Sequence, residues 1–199
     1  MTTETLIVIL VVAAAAVALL VIVAMASRSS KGKRQRLRER FGPEYDRALE
    51  HHGNERRAER DLAARERRVQ RLHINELDAA HRVQFASDWA HAQTRFVDDP
   101  SAAVREADEL IKTVMRARGY PVEDFERRVE DLSVDHASVI DHYRAARALA
   151  EANREGRANT EELRQALVHY RALFAELLEE GPSERRAIAD VGSEARGAH

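Results

Sequence analysis

The chain has 199 residues, of which 33% are charged and 5% aromatic, and it contains no cysteine. That length gives room for one domain with appendages and excludes a multidomain enzyme. The missing cysteines exclude a disulfide framework, a Cys-ligated metal or iron–sulfur centre and a thiol nucleophile. The net charge of -2 hides a gradient: residues 28–71 carry +7, and residues 72–199 carry -8.

Residues 6–26 form an unbroken apolar run without charge, proline or glycine. As a helix it would be roughly 30 Å long, which matches the hydrocarbon core of a bilayer. A cleaved signal peptide competes with this reading, because Ala24-Met25-Ala26 precedes Ser27 in a small-x-small pattern. A signal peptide, however, has a basic n-region and a shorter apolar core, whereas Glu4 is the one charged side chain before this run. The expectation is an uncleaved transmembrane helix over 6–26, behind a short extracytoplasmic N-terminus, residues 1–5.

Arg28, Lys31, Lys33, Arg34, Arg36, Arg38 and Arg40 follow the run, and no basic residue precedes it. The positive-inside bias then places the following domain in the cytoplasm. The same cluster lies where anionic headgroups attract basic side chains, so the lipid bilayer is an expected partner.

Residues 27–76 read as a basic helical stalk. Gly42-Pro43-Glu44 opens one helix, with proline at its first position, and Gly53 closes it after His51-His52. Asn54 caps a second helix to about Leu72. Ala58, Leu62, Val69 and Leu72 keep coiled-coil spacing in it, with Arg65 interrupting the seam. So short and polar a seam supports at most weak homo-oligomerisation.

Residues 77–180 read as a bundle of about five helices. Asp78 opens the first, with Phe85, Trp89, Ala92 and Phe96 inward. Asp98-Asp99-Pro100 ends it and starts the second, which buries Val104, Ala107, Ile111 and Val114 before stopping at Gly119. Tyr120-Pro121 opens a short third helix carrying Phe125, Val129 and Leu132. Asp135 caps a fourth, with Val139, Tyr143, Ala146 and Ala150 inside. Asn159 begins the fifth in a capping-box arrangement with Glu162. Its inward stripe is Leu163, Leu167, Tyr170, Phe174 and Leu177. No strand pattern appears, so the fold class expected is all-α: one N-terminal transmembrane helix, a helical stalk and a helical bundle. Residues 181–199 form a polar tail.

Catalytic and binding motifs are scarce. No two histidines stand at the i,i+4 spacing of a zinc helix. Asp131 to Asp135 imitate the start of a calcium loop, but His136 stands where the turn needs glycine and His142 where the bidentate glutamate belongs. Nucleophile-elbow, phosphate-loop and dinucleotide-binding signatures are missing. Arg56, Arg57, Arg60, Arg65, Arg67, Arg68 and Arg71 are interleaved with acids and lack aromatic neighbours for base stacking, which argues against nucleic acid. No cofactor, no metal and no enzymatic activity are expected.

Five strings carry a resemblance: Arg40-Phe41-Gly42-Pro43-Glu44-Tyr45, Phe96-Val97-Asp98-Asp99-Pro100, Arg118-Gly119-Tyr120-Pro121-Val122, Asp131-Leu132-Ser133-Val134-Asp135-His136 and His169-Tyr170-Arg171-Ala172-Leu173-Phe174. From about Phe41 to Leu178 the chain resembles a bacterial, especially actinobacterial, family of membrane or secreted proteins without an established activity. Ala137 stands where that family favours proline. Tyr120, Asp135, His136, His169, Tyr170 and Arg171 are the candidate interaction surface. The functional expectation is a membrane-anchored helical protein-interaction or scaffolding module with an unknown protein partner. The alternative is a secreted or extracytoplasmic helical domain that binds a small ligand or an envelope component.

Overall fold

The computed structural model describes residues 32–179, and these are helical without strands. The apolar run 6–26, the residues before it, Arg28, Lys31 and the tail 181–199 lie outside the described residues. None of the described helices is long and apolar enough to cross a membrane. The chain divides into two compact units between Glu59 and Arg60, inside the third helix.

The first unit contains α1 (residues 32–41), α2 (Pro43–His52) and the first turn of α3 (Glu55–Val69). α1 ends at Gly42, whose N–H reaches the Arg38 carbonyl at 2.9 Å, and Pro43 starts α2 at once. Gly53 closes α2 in the left-handed conformation (φ 59°), and its N–H donates to the Leu49 carbonyl at 2.9 Å. Asn54 Oδ1 accepts from the Arg57 N–H at 3.2 Å, which is the expected cap of α3. Leu37, Phe41, Tyr45, Ala48 and Ala58 are buried. Two arginines of the basic cluster are tied into this unit. Arg34 pairs with Glu55 at 2.5 Å and Glu59 at 3.2 Å, while Arg38 lies 5.0 Å above the Tyr45 ring and 3.9 Å from Asp46.

The second unit holds the rest of α3 with α4 (Ala79–Arg95), α5 (Pro100–Ala117), α6 (Phe125–Leu132), a 3-10 turn (Ala137–Val139), α7 (Ile140–Arg154) and α8 (Thr160–Leu178). α8 packs along both α5 and α7, and α4 lies on α5. Three expected caps are in place. Asp78 accepts from the His81 N–H at 2.8 Å, Asp99 from the Ala102 N–H at 2.9 Å, and Asn159 and Glu162 form a reciprocal capping box. The expected stripes face inward: Val104, Ala107, Ile111, Val114, Tyr143, Ala146 and Tyr170 are fully buried, and Trp89 stacks on Phe174 with ring centres 4.8 Å apart.

Packing of this unit begins within α3. Arg68 pairs with Asp131 at 2.6 Å and Glu130 at 2.8 Å, and Arg65 lies 2.8 Å from Asp61 and 3.8 Å from Glu130. Arg65 thus interrupts the apolar seam as an ion-paired side chain. Leu72 and Ile74 pack against the same core as Leu77.

Two helix starts differ from expectation. α6 begins at Phe125, because Asp124 accepts from the Arg127 N–H at 2.7 Å, whereas Tyr120 belongs to the end of α5. The Tyr120 and Gly119 N–H groups bond the Met115 and Arg116 carbonyls at 2.9 Å each, a Schellman closure that buries Tyr120 beside Met115. The fourth bundle helix does not open on an Asp135 side-chain cap. Turns from Leu132 carry the chain to His136, the 3-10 turn follows, and neither His136 nor Val139 makes a side-chain cap bond.

Candidate functional site

The six residues of the expected surface fall into separate places. Tyr120 and His136 meet in the interior, Tyr170 joins a buried carboxylate elsewhere, His169 pairs with another histidine on the α7–α8 face, Asp135 is half-buried and Arg171 is exposed.

The first cluster is a chain of three side chains. His136, with its ring fully enclosed, places Nε2 3.3 Å from the Tyr120 hydroxyl and Nδ1 3.0 Å from Glu176 Oε1. In a neutral ring, the tautomer that satisfies both contacts has the Nδ1–H donating to Glu176 and Nε2 accepting from the phenol. Burial, helped by the nearby Asp135 and Asp131 charges, raises the Tyr120 pKa far above its ordinary value. The cluster joins the end of α5, the 3-10 turn and α8, where Arg118 Nη1 also donates to the Leu177 carbonyl at 2.8 Å.

The second cluster was not visible as a motif. Asp108 is 1% exposed and accepts from Tyr170 at 2.7 Å, Lys112 at 2.8 Å, Arg154 at 2.8 Å and Arg147 at 3.3 Å. Burial by itself would raise its pKa. The hydrogen bonds from Lys112 and Tyr170, with the Lys112 and Arg147 charges, outweigh burial and hold it below the ordinary value. Glu109 also pairs with Lys112 and Glu151 with both arginines, so the three carboxylates balance the three cations. It ties α5, α7 and α8 together. A sequence signal existed: Asp108 stands four residues after Val104, on the inward stripe.

The third cluster lies at the surface, with His142 exposed and His169 half-buried. His142 on α7 and His169 on α8 face each other with Nδ1 atoms 2.9 Å apart. Partial burial and the neighbouring His142 lower the His169 pKa. These residues are 27 positions apart, so a search for i,i+4 pairs passes over them. Among the described residues, no group of three or more His, Cys, Asp or Glu side chains is arranged to hold a metal ion.

A shallow cleft of about 220 Å³ lies between α4 and α5, lined by Asp88, His91, Ala92, Glu106 and Leu110. It is smaller than the roughly 300–1,000 Å³ of ordinary ligand pockets. Compared with family models, curated proteins and solved structures, the chain has no match.

Proposed function

We propose that the protein is a single-pass membrane protein whose helical bundle serves as a protein-interaction or scaffolding module on the cytoplasmic side. The observation that carries this reading is the run of seven basic residues, Arg28 to Arg40, that directly follows the apolar run 6–26, whereas residues 1–5 hold no Lys or Arg. The bundle suits the role in its chemistry. Its charged groups at depth, Asp108 above all, are engaged in holding helices to one another, which makes a firm platform with a polar exterior. The partner is a protein, and the bilayer's anionic headgroups supply a second contact for the basic segment.

A compartment-sensitive reporter fused after Leu178, read with the size of the membrane-bound product, tests the topology. A full-length product active in the cytoplasm is the expected result. An exported product trimmed before Ser27 overturns it and makes the secreted or extracytoplasmic ligand-binding domain the better reading. Crosslinking in membranes tests the scaffold role, which fails if no protein is captured above background and no self-association is seen.

A further inference from the structure

We propose that His142 and His169 form a two-imidazole binding site for a divalent transition-metal ion on the exposed face between α7 and α8. The inference does not depend on membrane topology or on a protein partner.

The placement of the two rings carries the argument. Each histidine directly precedes a fully buried tyrosine, Tyr143 on α7 and Tyr170 on α8, so both backbones are fixed by core packing while the rings remain outside. α7 and α8 pack against each other along their length. The ring centres are 5.2 Å apart, the planes are tilted by 39°, and the two Nδ1 atoms face each other at 2.9 Å. With metal–nitrogen bonds of about 2.0–2.1 Å and a tetrahedral angle at the ion, the two nitrogens stand roughly 3.4 Å apart and the ring centres roughly 5.2 Å apart. The helices therefore already hold the rings at the separation that a shared ion requires. A small turn of each ring opens the nitrogen pair from the N–H···N contact to the chelating one; the shared proton passes through solvent to the Nε2 of its own ring, both imidazoles stay neutral, and the ion takes the proton's place.

The donor set selects the class of ion. Two neutral imidazoles suit zinc, nickel and copper, whereas calcium and magnesium require oxygen ligands. Among the described residues no third carboxylate or histidine completes the set, so water or a group from another molecule fills the remaining positions. His142 is exposed and leaves that side open.

The test uses the full chain in detergent, free of any polyhistidine tag and stripped with a chelator, titrated with Zn²⁺ by calorimetry. Uptake of one ion per chain, or one per two chains, is expected. His142→Ala and His169→Ala should each weaken binding by at least about tenfold, or about 1.4 kcal/mol. His91→Ala, at an exposed histidine on α4, should leave it unchanged. Bound Cu²⁺ should show nitrogen splitting in its electron paramagnetic resonance spectrum that disappears in the double variant. Because both positions are at the surface, circular dichroism should show the variants folded. Binding that is equal in the wild type and the folded double variant overturns the proposal, as does the lack of any Zn²⁺ uptake by the wild type; either result leaves the pair a hydrogen bond only.

Discussion

Tyr170 donates its hydroxyl hydrogen to Asp108 at 2.7 Å, joining α8 to α5 at the centre of the bundle. Lys112, Arg147 and Arg154 reach the other oxygen of the same carboxylate, at 2.8, 3.3 and 2.8 Å. Removing the negative charge leaves these three cations, which are partly shielded from water, with only Glu109 and Glu151 and so one counter-ion short. Asp108→Asn is therefore expected to cost about 3–5 kcal/mol, the usual range when one member of a buried ion pair is deleted. Urea unfolding followed by circular dichroism measures it. Tyr170→Phe should cost less, about 1–3 kcal/mol, because the three cationic donors remain on Asp108.

The same carboxylate predicts a pH dependence. Its pKa is lower in the folded chain than in the unfolded one, where an aspartate titrates at about 4. The unfolded chain therefore binds the proton first, and the stability that Asp108 supplies is present at neutral pH. It is lost as the pH falls below about 4 towards the folded-state pKa. Urea midpoints for wild type and Asp108→Asn should converge as the pH is lowered through this window. Midpoints that keep a constant separation from pH 7 to pH 3 would contradict the assignment.

Helix ends governed by local chemistry were readable in advance. Asp78, Asp99 and Asn159 cap where their sequence neighbours place them, since an N-cap bond reaches only three residues ahead. Tyr120-Pro121 misled because a proline can equally follow a helix end, and here the Tyr120 N–H closes α5. Asp135 misled because the chain continues from Leu132 through successive turns, which no local signal distinguishes from a helix start. The site chemistry was harder still. Asp108 lies 62 residues from Tyr170 and 46 from Arg154, and His142 lies 27 from His169, so their meeting depends on how α5, α7 and α8 pack. What the sequence offered was weaker: an acid on an apolar stripe, and a histidine before each of two inward tyrosines.

Gly119 should be the less replaceable of the two glycines among the described residues of the second unit, Gly119 and Gly156. It has φ +89°, and a Cβ built there would lie 2.2 Å from the His73 carbonyl oxygen. The adjoining backbone fixes this approach, because the Asn75 N–H donates to the Arg118 carbonyl at 2.9 Å. Gly119→Ala thus combines a strained conformation with a backbone clash, and a loss of at least about 2–3 kcal/mol is expected. Gly53→Ala is the control: its φ of +59° imposes conformational strain, but nothing lies within 4 Å of the new atom. That variant should lose only about 1 kcal/mol. Equal losses in the two proteins would argue against the close contact between residues 73 and 119.

Tyr143 presents the opposite case to Tyr170. Its ring is fully buried and packs 5.3 Å from Phe125, yet its hydroxyl has no hydrogen-bond partner among the described residues. Burial, with Asp108 and Glu109 adding to it against the opposing Arg128 and Arg147 charges, pushes the phenol up to about 12. A buried hydroxyl that has left water without gaining a partner costs about 1–3 kcal/mol, and a phenylalanine keeps the ring contacts without that cost. Tyr143→Phe should therefore leave stability unchanged or raise it by up to about 1–2 kcal/mol, while Tyr170→Phe lowers it. The two substitutions remove the same atom from neighbouring helices, so a shared experimental error would move them together. A destabilised Tyr143→Phe would mean that this hydroxyl has a partner, for which an ordered water between it and the unpartnered Arg128 Nε and Nη1 is the first candidate.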